Sequence, residues 1–173
     1  MKNKFIITFA GPMGSSKTPI AYYLSCKLNL PVFNNDGIRH EVIADTGSLD
    51  VEEWQRRIEE RAKDILGRGI SFIYDASMDR EWSVVKKNIE PLGYQTFVIS
   101  MDLSREFLTA LYGRGVSYNE GYSEYLDRID ETMADHKSFL ENYADEVNLS
   151  INDKNFADRL EVSYEEVGKW LRE

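Results

Sequence analysis

The most constraining feature of this chain is a short apolar run followed directly by a glycine-containing turn. Residues 4–10 are rich in Ile and Phe and are typical of a buried strand, and a helical pattern opens at Lys17. The turn between them reads Gly11, Pro12, Met13, Gly14, Ser15, Ser16, Lys17 and Thr18. A strand, such a turn and a helix that opens with Lys-Thr form the layout of a phosphate-binding loop, or P-loop. We therefore predict that these eight residues bind the phosphates of a nucleotide.

Each part of this loop has a physical role in the predicted site. Gly11 and Gly14 allow backbone amides to curl around a phosphate with no Cβ in the way. A helix N-terminus offers unpaired N–H groups and the positive end of a dipole. Lys17 would place a charge on the β- and γ-phosphates, and the Thr18 hydroxyl would be a ligand for Mg²⁺.

Two residues depart from the usual pattern. Ser16 stands where the pattern has Gly before the Lys, and Pro19 has no N–H to donate to the α-phosphate. Proline is tolerated in a first helical turn, so the fold survives while one anchor for nucleotide is lost. A glycine-rich turn that binds no ligand is the alternative interpretation of this segment.

Length and composition indicate one globular domain. The chain has 173 residues, of which 42% are hydrophobic and 29% charged, and we expect a single domain over residues 1–173. No apolar run approaches the ~20 residues of a membrane span. The N-terminus leads straight into a strand, and one cysteine, Cys26, excludes an internal disulfide, so we expect a cytoplasmic protein. Cys26 is expected to serve packing.

Strand and helix patterns alternate along the whole chain. Strands are predicted over residues 4–10, 31–33, 70–74, 94–101 and 147–151, and helices over 17–29, 36–44, 51–66, 81–89, 105–112, a stripe from Leu126 to Leu140, and 165–171. This alternation predicts an α/β fold with a five-stranded parallel sheet and helices on both faces. Ligands bind such sheets at the C-terminal ends of the strands.

Two acidic residues follow predicted strands and are therefore expected at that edge. Asp36 could accept a proton from an attacking hydroxyl, and Arg39, one helical turn later, could hold an anionic part of the acceptor. The alternative, weighted equally on spacing alone, is that Asp36 only caps a helix and Arg39 is a surface residue. Asp75 ends a strand in the manner of a Walker B acid and would hold Mg²⁺ directly or through water.

A turn-prone segment, residues 113–122, is the predicted lid. Arg114 lies between two glycines there, so that a closing loop could carry its charge onto a phosphoryl group. Arg105 and Arg128 are rival candidates for this role. His136 lies on an apolar helical stripe and is expected to be a core or boundary histidine with satisfied hydrogen bonds.

The order of four segments resembles a family of small P-loop kinases. These segments are GPMGSSKT, NNDGIR, FIYDAS and GYQTFVISMDLSREFLTALYGRG. Together they are similar to the group that includes polynucleotide-kinase domains, zeta-toxin-like kinases and AAA-type ATP-binding kinases. The resemblance implies an adenylate-kinase-like P-loop architecture with a short lid, ATP and Mg²⁺, and a hydroxyl acceptor. By motif position it implies that Asp36 is the base, Arg39 the acceptor-phosphate ligand, Asp75 the second acid and Arg114 the lid arginine.

The sequence thus predicts an ATP-dependent phosphotransferase in which Lys17, Asp36 and Arg114 are catalytic. The formal net charge of −9 opposes binding of a long nucleic acid, so a small acceptor is favoured. Two alternatives stay open. One is a nucleotide-binding module without catalysis, motivated by Ser16 and Pro19, and the other is a kinase for the 5′-hydroxyl of a nucleic acid.

Overall fold

The computed structural model of the chain describes residues 4–115 and 121–173. The side chains of residues 114, 115, 121–125 and 127 lie outside this description. Within the described part, no helix combines the length and the apolar character needed to cross a membrane.

Five parallel strands form one sheet, as predicted. The strands are β1 (Phe5–Ala10), β2 (Val32–Asn34), β3 (Phe72–Ser77), β4 (Gln95–Asp102) and β5 (Val147–Asn152). Their order across the sheet is β2-β3-β1-β4-β5, and each neighbouring pair is parallel. The central strand β1 therefore delivers its C-terminal end, and the loop that follows it, to the middle of the sheet edge.

Helices connect the strands. They are α1 (Lys17–Leu28), α2 (Asn35–Thr46), α3 (Val51–Gly67), α4 (Trp82–Ile89), α5 (Arg105–Gly115), α6 (Gly121–Tyr143) and α7 (Arg159–Arg172). Helix α7 begins six residues before its predicted start because Leu160 and Val162 also pack against the main core. Of the predicted lid, residues 113–115 end α5 and residues 121–122 begin α6, whereas residues 116–120 lie outside the described residues.

Helices cover both faces of the sheet. Phe5, Ile7 and Phe9 of β1 face a core that includes α1 and α7, and Ile6 and Ala10 face cores that include α3, α4 and α6. Successive strand side chains point to opposite faces, so one fully buried strand serves both layers.

Strand β3 is longer at its C-terminal end than its apolar run predicts. Thr8 of β1 pairs with Tyr74, whereas the next residue, Phe9, pairs with Ser77. Asp75 and Ala76 are therefore extra residues on β3, a bulge-like irregularity of the kind that re-aims side chains beside functional sites.

Two predictions of local detail are wrong. Asn34, and not Asp36, is the N-cap of α2, because its extended backbone lets Oδ1 accept the Gly37 N–H at 3.1 Å while Asp36 is already helical. Cys26 is exposed on α1 and is not a packing residue. Helix α3 is capped by Asp50, whose carboxylate accepts the Glu53 N–H at 3.1 Å.

Candidate functional site

A cavity of about 600 Å³ opens at the C-terminal edge of the sheet, where the predicted site residues should gather. It is lined by the predicted loop, by the start of α2, by the end of β3 and by α6. Its described lining residues are Gly11, Met13, Gly14, Ser15, Ser16, Lys17, Thr18, Pro19, Asn35, Asp36, Asp75, Ala76, Ser77, Asp79, Arg80, Glu81, Thr132 and Asp135. Seven of the eight predicted loop residues, Asp36 and Asp75 are thus in one place.

The loop backbone has the tight left-handed turns that its glycines predict. Gly14 has φ +74°, and Ser16, in the position usually held by Gly, has φ +72°. A left-handed conformation costs roughly 1–2 kcal/mol for a residue with a Cβ. Arg159 of α7 contacts this residue, since its Nε donates to Ser16 Oγ at 3.1 Å. The strained Ser16 therefore makes a hydrogen bond that glycine, which has no side chain, could not make.

Lys17 is folded against the loop that precedes it. Its Nζ donates to the carbonyl oxygens of Gly11 at 2.8 Å and Pro12 at 2.6 Å, and to Ser15 Oγ at 3.1 Å. Burial lowers the pKa of the Lys17 ammonium to about 8, although the carboxylates of Asp79 and Asp75 oppose the change. The ammonium is thus placed by backbone carbonyls at the centre of the loop, where it can meet a phosphate.

Thr18 and Asp75 come together as candidate ligands for a cation. Thr18 Oγ1 donates to Asp75 Oδ1 at 3.2 Å, and Asn34 Nδ2 donates to the other carboxylate oxygen at 2.7 Å. Burial raises the pKa of Asp75, opposed by these two hydrogen bonds and by the charge of Lys17. Hydroxyl and carboxylate oxygens suit Mg²⁺, which commonly takes one or two protein ligands beside substrate phosphates. The residues present fit that ion.

Asp36 lines the cavity, whereas Arg39, on the same helix, does not. Asp36 is exposed on the first turn of α2 and lines the cavity close to Asp75, whose pKa its charge helps to raise. Arg39 is half-buried on the same helix and is not among the residues that line this cavity. The geometry therefore gives Asp36 access to an acceptor and gives Arg39 no direct contact with the cavity.

The predicted lid arginine, Arg114, lies near the end of α5. The side chain of Arg114 lies outside the described residues. Of its two rivals, Arg105 donates to the Asp130 carboxylate at 2.6 Å, and Arg128 is exposed on α6.

Sequence reasoning missed three residues that contact this site: Asp79, Arg80 and Arg159. Arg80 lines the cavity and forms ion pairs with Glu131 and Asp135 of α6, both at 2.6 Å. Asp79 accepts the Gly11 N–H at 3.1–3.2 Å. These contacts join residues more than fifty positions apart, and no local motif marks them.

Comparisons with known proteins support the fold. No family model matches this sequence, and no curated protein sequence matches it. Among solved structures, a sugar kinase from Janibacter sp. HTCC2649 is 19% identical, with 98% of this chain and 95% of that chain covered and a TM-score of 0.63. A gluconokinase from Sinorhizobium meliloti 1021 is 14% identical, with 98% and 95% covered and a TM-score of 0.61. A shikimate kinase from Bacteroides thetaiotaomicron is 14% identical, with 98% and 99% covered and a TM-score of 0.61. The chain therefore has the same α/β fold as these three structures.

Proposed function

We propose that this protein is an ATP-dependent kinase that transfers the γ-phosphoryl group to a hydroxyl of a small molecule. The observation that carries the proposal is the shared cavity, in which Lys17, the Thr18–Asp75 pair and Asp36 all lie at the C-terminal edge of one parallel sheet. The kinase fold of structures named for sugar, gluconate and shikimate supports a small acceptor.

The loop is the donor end of the proposed site. Its amides and the N-terminus of α1 would bind the ATP phosphates, and Lys17 would contact the β- and γ-phosphates. Thr18 and Asp75 would hold Mg²⁺, which when bound neutralises phosphate charge. Asp75 is buried, which strengthens its electrostatic contacts relative to bulk water.

Asp36 is the proposed general base at the acceptor end. Its carboxylate takes the proton of the acceptor hydroxyl as that oxygen bonds to the γ-phosphorus, and the bond to the β–γ bridging oxygen breaks to release ADP. Most of the rate enhancement in such a site comes from positioning and electrostatics. Arg114 is proposed to add positive charge from the lid. Arg39 does not line the cavity, and no step of the proposed transfer uses it.

Pro19 favours one alternative, a nucleotide-binding module without transfer. It lines the cavity and has no N–H for the α-phosphate. Such a module would bind Mg·ADP and leave every hydroxyl acceptor unchanged.

A phosphorylation screen tests the proposal. Labelled ATP is offered with sugars, nucleosides, antibiotics and short oligonucleotides, and each reaction is run with wild-type protein and with Lys17→Ala. We expect transfer to at least one small acceptor.

Lys17→Ala should weaken Mg·ADP binding by roughly 1–3 kcal/mol, because a charge-assisted contact is lost. Equal affinity of the two folded proteins in calorimetry would contradict the P-loop assignment.

A further inference from the structure

A buried chain of polar groups lies behind the loop and takes no part in the proposed transfer. The Asp79 carboxylate accepts the Gly11 N–H, and its Oδ1 lies 3.0 Å from His136 Nδ1. His136 Nε2 lies 3.2 Å from Ser100 Oγ. The side chains of Asp79 and His136 are only 7% and 5% exposed. Burying ionisable groups costs free energy unless they are paired, and here each of the two has a hydrogen-bond partner. The question is what this buried pair does for the loop.

Three elements converge to build this chain. Asp79 follows β3, where the Met78 N–H donates to the Phe9 carbonyl at 2.8 Å and anchors the turn to β1. Ser100 is fully buried on β4, and His136 is presented by α6. An ionised carboxylate cannot donate, so Nδ1 of His136 donates to Asp79, and Nε2 faces the Ser100 hydroxyl, which can donate or accept.

Gly11 is held on two sides. Its φ of +144° is a glycine conformation, and a Cβ there would lie 2.6 Å from Met101 Cβ of β4. Its N–H is bound by Asp79, and its carbonyl oxygen accepts from Lys17 Nζ at 2.8 Å. Ser77 Oγ lies 3.0 Å from both Asp79 Oδ2 and the Gly11 carbonyl oxygen. The two peptide groups that flank the Gly11 Cα thus connect the Asp79 carboxylate to the Lys17 ammonium.

We propose that Asp79 is a positioning residue that fixes Gly11, and through it Lys17, in the geometry that receives phosphate, with His136 orienting the carboxylate. The expected consequence of this positioning is tighter nucleotide binding, and that consequence rests on the proposed function. Asp79 reaches the nucleotide only through the loop.

Amide hydrogen exchange of Gly11 tests the contact without any nucleotide. The Gly11 rate is divided by the rate of the amide of Ile7, a buried residue of the strand β1 that leads into Gly11. Global destabilisation speeds both amides, whereas loss of positioning speeds Gly11 alone. We expect Asp79→Ala to raise this ratio at least tenfold. Ile89→Ala, which removes a buried side chain in the α3–α4 core, is the control and should leave the ratio unchanged.

Calorimetry with Mg·ADP tests the consequence. Asp79→Ala and Asp79→Asn should bind at least tenfold more weakly than wild type. His136→Ala should lose affinity, and His136→Asn should recover most of it, because the asparagine Nδ2 takes the place of the imidazole Nδ1 as donor to Asp79. A merely structural role would not distinguish these two substitutions at equal stability.

Two results would overturn the inference. One is a Gly11 rate that changes only in step with Ile7. The other is Mg·ADP affinity within twofold of wild type in Asp79→Ala while Lys17→Ala loses binding. A wild-type protein that binds no nucleotide would instead defeat the proposed function, and the exchange ratio would still decide whether Asp79 holds the loop.

Discussion

Asp36 can be tested as a base without disturbing a helix cap. Asn34 caps α2, so Asp36→Asn removes only an exposed carboxylate from the first helical turn. Stability should change by less than about 1 kcal/mol, the scale of a charge–dipole contact. Phosphoryl transfer should fall by roughly 10²-fold or more, the usual contribution of a general base. Urea unfolding measures the stability and steady-state kinetics measure the transfer. Full activity in Asp36→Asn would show that Asp36 is not the general base.

The low pKa of Lys17 predicts a pH dependence of nucleotide binding. In the free protein the ammonium loses its proton as pH rises through about 8, and phosphate is attracted to the protonated form. The association constant for ADP should therefore fall above that pH, by up to about tenfold per unit. Calorimetry from about pH 7 to about pH 10 measures this decline. Lys17→Ala is the control and should show no such decline, and an equally flat profile in wild type would contradict the assignment.

Single residues also show how far the sequence could predict the site. Spacing located the loop, Lys17 and Thr18 because a phosphate-binding loop is a local motif, and Asp75 because it directly follows an apolar run. The cap of α2 was misassigned because Asn34 and Asp36, two positions apart, both carry suitable side chains and only the backbone angle decides between them. Asp79 was missed because its partners, Gly11 and His136, lie 68 and 57 positions away. Such contacts exist only once the sheet and α6 have assembled.

At the scale of elements, Asn34 joins the start of α2 to the end of β3. Its Oδ1 accepts the Gly37 N–H, and its Nδ2 donates to Asp75 Oδ2 at 2.7 Å. Asn34→Asp should keep the cap but place a second carboxylate against Asp75, so the variant should be destabilised in EDTA by charge repulsion. Mg²⁺ should restore part of the loss. Urea unfolding with and without Mg²⁺ measures this difference.

The matching control for Asn34 lies on α3. Asp50 caps that helix through the Glu53 N–H and has no part in the cavity. Asn34→Ala and Asp50→Ala should each lose roughly 1 kcal/mol, the usual cost of a lost cap. Only the Asn34 substitutions should change the response to Mg²⁺. An identical Mg²⁺ response in Asn34→Asp and Asp50→Ala would remove Asp75 from the proposed magnesium site.

At the scale of the whole molecule, the net charge of −9 bears on the kind of acceptor. A protein that tracks a nucleic-acid backbone concentrates Lys and Arg on one surface and releases counterions when it binds. Here Arg80, the described arginine that lines the cavity, is paired with Glu131 and Asp135, and Arg159 donates to Ser16 Oγ of the loop. Residues 113–122 contain one Arg and one Glu, so their formal charges cancel. This balance favours a small acceptor over an oligonucleotide.

Salt dependence of acceptor binding distinguishes these two classes. Binding of a small acceptor should change little with salt, whereas an oligonucleotide contacted at Z phosphates would give a logarithmic slope of about −0.7Z. The measurement is 1/KM of the acceptor found in the screen at several salt concentrations, with a 5′-hydroxyl oligonucleotide run in parallel at the same concentrations. We expect no transfer to the oligonucleotide and a nearly flat profile for the small acceptor. Efficient oligonucleotide phosphorylation with a steep negative slope would establish a nucleic-acid kinase, and would show that a local basic surface outweighs the net charge of the chain.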